Sequence, residues 1–174
     1  MNQQELCESL SIKHKNFIEY QLSLSSQEFI ASKNEKWTAG QQLEHIVISV
    51  SAVNQALLLP NFLLKLIFGK ANRKSRTYDE LVQKYLSKLQ AGGRASGRFV
   101  PKTVTLDKKD KLTKKLMSEV EKMNRKISKL SENELETLIM PHPLLGKLTL
   151  REMFYFTIYH VQHHHEITIR NLKG

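Results

Sequence analysis

The chain has 174 residues, 40% of them hydrophobic, with 4 prolines, 7 glycines and a formal net charge of +10. That composition excludes a disordered or fibrous chain and suits one domain over residues 1–174 that buries a core unaided. Cys7 is the only cysteine, which excludes an intrachain disulfide; the polar start MNQQELCESL lacks the apolar region of a secretory signal, so a cytoplasmic location is expected.

A first helix is expected over roughly residues 2–31, with Leu6, Leu10, Phe17, Ile18, Leu22 and Phe29 among its apolar positions. A loop carrying Trp37 follows. TAGQ at 38–41 has the form of a capping box, Thr38 offering its hydroxyl and Gln41 reaching back. A second helix should run from there to about Leu59, where Pro60 stops or kinks it. The apolar stretch from Ile46 to Phe68 is interrupted by Asn54, Gln55, Pro60, Asn61 and Lys65, whereas a spanning helix needs ~20 mostly apolar residues. It reads as a buried helix followed by a kinked amphipathic piece, with no membrane span. PNFLLKLIFGK has the composition of a segment able to lie on a surface.

A shorter helix is expected from Tyr78 to Gln90, with TYDE at its start and GG at 92–93 as its exit. Residues 92–106 form a Gly-, Arg- and Ser-rich basic loop, expected to be mobile. Between Lys108 and Lys129, Leu112, Leu116, Val120, Met123 and Ile127 recur at steps of four and three, continuing to Leu130. They mark the apolar stripe of a third long helix whose lysines cover the wet face. Further basic clusters fall at Arg73–Arg76 and Arg94–Lys102. A basic stripe can be a nucleic-acid footprint when aromatic residues are interleaved for stacking; none are interleaved along the Lys108–Lys129 helix, so no specific nucleic-acid partner is expected.

SENE at 131–134 starts one further turn, and MPHPLLGKL, with two prolines and a glycine, should be irregular. TLRE at 149–152 caps a last helix reaching about Leu172. No strand and no internal repeat is expected. The fold class is therefore all-α: a four-helix bundle with an extra short helix and a basic loop between the second and third long helices, the order of the helices being open.

Four of the seven histidines fall in FTIYHVQHHHEIT, residues 156–168. Residues four apart share a helix face, so His160 and His164 point the same way, on a stripe continued by Met153, Phe156 and Ile167. His163 sits at the margin of that face and His165 well round the cylinder. A catalytic zinc typically takes three protein ligands and a water. His45, in QLEHIVISV on the second helix, lies on an apolar stripe with Ile48 and Ala52 and is the natural third ligand. A histidine on an apolar face is more often a satisfied core residue, and spacing alone does not bring the two helices together. His14 reads as a helix-surface residue and His142 as a loop residue beside Pro143.

The ordered set Trp37–His45 in WTAGQQLEH, then HPLLGKLTLREMFYFTIYHVQHH, resembles the DinB-like superfamily of metal-dependent bacterial proteins, which includes YfiT-type proteins. The landmarks are a tryptophan before helix two, a histidine soon after it, and a glycine loop into a last helix bearing HxxxH. The resemblance implies a DinB/YfiT-like four-helix bundle in which His45, His160 and His164 bind a divalent metal ion. Zinc and nickel both suit imidazole ligands, and affinity should fall as pH drops through the ordinary histidine range near ~6.5. The family often has Gln shortly after the last histidine, where this chain has Glu166, Ile167 and Thr168. Whether His163 or Glu166 joins the site is left open.

Characterised relatives imply a small-molecule substrate and a low-molecular-weight thiol in an S-transferase reaction, with a metal-dependent hydrolase as the alternative. The competing classes are a nucleic-acid- or partner-binding helical protein with structural histidines, and a metal-binding bundle without catalysis. A homodimer is allowed. Among other polar residues, Glu44 lies about 100° round its helix from His45 and reads as surface. Glu152 is at most an outer partner of the metal ligands. Cys7 reads as a structural thiol, and Tyr155 and Tyr159 as packing residues.

Overall fold

The computed structural model describes residues 1–32 and 35–173. In chain order the elements are α1 (Gln3–Ser23), α2 (Ser26–Ile30), α3 (Ala39–Ala56), α4 (Asn61–Phe68) and α5 (Tyr78–Gln90). They continue with α6 (Lys109–Ile127), α7 (Glu132–Thr137), β1 (Ile139–His142), β2 (Gly146–Thr149) and α8 (Leu150–Lys173). The described residues are thus mostly helical, with one small two-stranded sheet.

Local chemistry sets the boundaries. The first expected helix divides, because Ser25 and Glu28 form a capping box of their own and Leu24 turns extended at φ −67°, ψ 137°. The anticipated caps at Thr38/Gln41 and Thr77/Glu80 both close reciprocally, and Thr149 and Glu152 exchange the same pair of bonds at the start of α8. Gly40 in the first turn of α3 is needed for packing: a Cβ there would stand 2.9 Å from the Phe29 ring, so glycine lets α2 lie against α3.

MPHPLLGKL is not irregular but an antiparallel hairpin, pairing Met140 with Leu148 and His142 with Gly146. Pro141 faces Lys147 in a ribbon that is only two strands wide, where a missing N–H is tolerated although it would break a helix. Met140 and Leu148 point into the core. Lys70 bridges to Leu138, tying the chain after α4 to this hairpin.

α1 packs on α6 and α8, and α3 packs on the same two helices. Their directions follow from contacts near their ends. Lys109 bonds the Leu22 and Leu24 carbonyls while Gln3 bonds those of Ile127 and Leu130, so α1 and α6 are antiparallel. The amino group of Met1 bonds the Tyr155 hydroxyl and Phe17 meets His165, so α1 and α8 are parallel. Asn171 reaches the Trp37 carbonyl and His45 meets His160, so α3 and α8 are antiparallel. Hence α3 and α6 run the same way. A parallel pair needs a long crossover, which residues 57–108 supply.

The expected stripe of α6 is buried: Leu112, Leu116, Val120, Met123 and Ile127 join one hydrophobic cluster with residues of the other long helices. The 92–106 segment departs from expectation in its second half. Pro101 and Val104 are buried, and single turns form at Gly97–Phe99 and Leu106–Lys108. No single helix among the described residues is long and apolar enough to cross a membrane; α3 and α4 meet that test only jointly, across a bend of 100°.

Candidate metal centre

The Thr38/Gln41 cap starts α3 shortly before His45, and α8 carries His160 and His164 one turn apart on the side that meets α3. The three imidazoles converge. His45 Nε2 stands 3.1 Å from His160 Nε2, and His164 Nε2 stands 3.0 Å from the same atom. All three rings are almost fully buried, at 4%, 6% and 7% exposure, and each offers a ligand atom within 4.8 Å of the others. Two nitrogens at 2.0–2.1 Å from one ion stand roughly 3.3 Å apart on a tetrahedron and roughly 2.9 Å at octahedral right angles. The observed spacings lie between these values.

The outer bonds fix which nitrogen carries each proton. The Phe99 carbonyl lies 2.7 Å from His45 Nδ1; a carbonyl only accepts, so that nitrogen is the N–H and Nε2 keeps its lone pair. His164 Nδ1 likewise bonds the Gln42 side-chain oxygen, which leaves its Nε2 a bare acceptor. Two buried lone pairs therefore face the one nitrogen of His160, which has at most one proton to give. Without a cation at least one acceptor is unsatisfied. A divalent ion would take all three lone pairs, so the donor set fits a metal.

Electrostatics point the same way. Burial first, then the neighbouring imidazoles, hold His160 and His164 well below the ordinary histidine pKa. Burial also lowers His45, opposed by its bond to Phe99. All three are neutral near pH 7, the form in which imidazole binds a metal. Aromatic rings wall the cluster. Phe156 stacks on His160 at 4.7 Å, Trp37 lies 5.2 Å from His45 and parallel to His164 at 6.4 Å, and Tyr85 presents its edge to His160 at 6.1 Å.

The remaining candidates go elsewhere. His163 turns to the rings of Tyr85 and Tyr159, and Glu166 is exposed and accepts from Gln162. His165 packs on Tyr20 and Phe17. His14 is not a surface residue: it is buried on the core face of α1, Nδ1 bonding the Leu10 carbonyl and Nε2 without a partner. His142 lies on β1 and meets Phe156, its Nδ1 accepting from the amides of Leu144 and Leu145. Cys7 bonds the Asn124 carbonyl on α6.

Glu152 makes no contact with the histidines. It is fully buried in a clamp, accepting Arg73 through both guanidinium nitrogens at 2.6 and 2.8 Å, with Arg76 and the Thr149 amide. Glu44 accepts the Lys102 amide at 2.8 Å and so pins the strap that carries Phe99. The sequence reading missed Gln42, Phe99 and Tyr85. Gln42 had a visible signal, three residues before His45 and hence on its face. A main-chain carbonyl has no side-chain signature.

Compared with known families, residues 14–168 match the model described as the DinB superfamily. No curated protein matches the chain.

Proposed function

The chain belongs to the DinB superfamily, and on that premise we propose that it is a metal-dependent enzyme whose ion is held by His45, His160 and His164. The single observation carrying this reading is the convergence of the three Nε2 atoms, with the tautomers of His45 and His164 set from outside. Zinc or nickel is the ion we favour, both being suited to imidazole. The same reading takes residues 1–174 as one domain, with α1, α3, α6 and α8 as a four-helix bundle.

For the reaction we propose thiol-dependent S-transfer to an electrophilic small molecule. When bound, a divalent ion would ionise a thiol at its open position and so make the nucleophile available at neutral pH. In such a transfer the thiolate sulfur would form a bond to the electrophilic atom, the leaving group would depart with the electron pair of the bond that breaks, and the thiol proton would pass to solvent. The three histidines would hold the ion, and Trp37, Phe156 and Tyr85, which wall the cluster, would exclude water around it. Transfer is favoured over hydrolysis because hydrolysis usually wants a base beside the water. Here Glu44, Glu152 and Glu166 are each engaged elsewhere. A specific nucleic-acid role has less support, since Arg73 and Arg76 are committed to Glu152.

The test is cobalt substitution followed by titration with low-molecular-weight thiols. A sulfur-to-cobalt charge-transfer band in the near ultraviolet is expected, and it should vanish in His164→Ala. Ester or amide hydrolysis with no thiol-induced band would replace the transferase reading by the hydrolase one.

A further inference from the structure

A second surface, independent of the histidines, is built at the far end of α3. There the chain bends by 100° into α4. α4 buries Leu64 but leaves Phe62 67%, Leu66 78% and Ile67 56% exposed, and Leu58 in the preceding turn is 74% exposed. Phe62 and Leu66 are four residues apart and share one helix face, while Leu64 lies on the opposite one. Single exposed apolar residues are ordinary, but four large ones between Leu58 and Ile67 make a patch of the kind that marks an interaction site.

The rim of this patch is cationic. Lys65 is on α4, Lys70 is exposed just beyond it, and Lys147 of the hairpin lies alongside, its ammonium bonding the Phe68 carbonyl at 3.0 Å. An adjoining carboxylate, Glu134, already accepts from Asn61 and from Ser131. A second copy docked through the same face would bring a second set of these lysines to the interface without supplying carboxylates for them. An anionic bilayer accommodates both features at once: apolar side chains at the boundary between headgroups and acyl chains, and cations among lipid phosphates.

We propose that α4 and the turn before it dock this protein peripherally on an anionic phospholipid bilayer. Phe62, Leu66, Ile67 and Leu58 enter the boundary, and Lys65, Lys70 and Lys147 meet the phosphates. Ala56, at the end of α3, lies about 16 Å along the axis from His45 at ~1.5 Å per residue, so docking leaves the imidazole cluster uncovered.

The test is flotation of the full chain with vesicles of phosphatidylcholine alone or mixed with phosphatidylglycerol. Sedimentation is followed in parallel without lipid. Binding only to the phosphatidylglycerol vesicles is expected, weakening by about tenfold on raising salt from ~0.1 to ~0.5 M. Leu66→Glu should weaken it by about tenfold or more, and Lys65→Gln combined with Lys70→Gln by a smaller factor, with melting temperatures unchanged because these residues are largely outside the core. Absence of binding to anionic vesicles, or binding indifferent to Leu66→Glu, overturns the proposal. A dimer in solution that Leu66→Glu dissociates overturns it too, giving the face to a second copy.

Discussion

His45 and Phe99, far apart in sequence, are joined by one hydrogen bond of 2.7 Å from the ring Nδ1–H to the main-chain carbonyl. Glu44, the preceding residue on α3, holds the same strap through the Lys102 amide. The basic 92–106 segment is thereby fastened to the helix that bears the first imidazole, and what it contributes there is main-chain oxygen rather than positive charge. The orientation of His45 depends on a segment that supplies no ligand.

Metal binding should be stoichiometric, one divalent ion per chain, and lost in His160→Ala, whose ring stands between the other two. Because the site joins α3 to α8, free ion at a hundred times its Kd should stabilise by about 2.7 kcal/mol, or roughly 5–10 °C in Tm for a chain this long. Elemental analysis and calorimetry with and without chelator measure both quantities. A Tm indifferent to chelator would count against an ion that bridges these helices.

Gln42 and Glu44 should control metal affinity without binding metal. Gln42→Leu removes the acceptor that fixes the His164 tautomer, and a weakening of about 10–100-fold is expected. Glu44→Ala frees the strap and should produce a smaller loss, partly restored in Glu44→Gln, whose amide oxygen can still accept the Lys102 N–H. Competition with a chromophoric chelator reads the affinity, and the melting temperature of the chelated protein separates positioning from general damage.

Acid should destabilise the metal-free protein between about pH 6.5 and pH 4. Burial pushes His14 and His142 down to about 4. In that window the unfolded chain binds more protons than the folded one, so stability rises with pH and falls on acidification, levelling below the folded value. Each contributes at most about 3 kcal/mol at one pKa unit per ~1.4 kcal/mol. Denaturant titrations at pH 7 and pH 5 should show the loss, and His14→Leu should reduce it while the His142 share remains; the His14 Nε2 has no partner to lose. The ligand imidazoles are lowered as well, so metal affinity should persist below the ~6.5 of a free histidine.

Glu152→Ala should cost about 2–3 kcal/mol, somewhat less than the ~3–5 of a fully buried pair, because Arg73 and Arg76 keep partial contact with water. Metal stoichiometry should not change, as the carboxylate lies in the clamp rather than at the imidazoles. Urea unfolding and metal analysis of the same variant check both halves. A variant that keeps its stability but loses metal would return Glu152 to the neighbourhood of the ion.

Much of this was legible because it is local. Caps are written in three or four adjacent residues, so Thr38, Thr77 and Thr149 could be read directly. The apolar side of α8 follows from the spacing of Phe156, His160 and His164. His14 is readable too, since it lies four residues after Leu10 and three before Phe17 on a buried stripe, a position that outweighs its polarity. The hairpin was hidden because two prolines signal only what is forbidden, while its ladder depends on a partner strand. That His45 meets the α8 pair depends on helix packing, which spacing within either helix does not encode.

The parallel course of α3 and α6 has a consequence for the nascent chain. α3 packs on α6 and α8, both synthesised after the long crossover. At ~5–20 residues per second, translation from the end of α3 to the end of α8 takes on the order of ten seconds. Over that interval Leu43, Ile46, Val47 and Val50, buried in the finished fold, lack their final cover. A ribosome-bound chain stopped before α8 should therefore engage holding chaperones and capture no metal, with metal loading among the last events of its maturation.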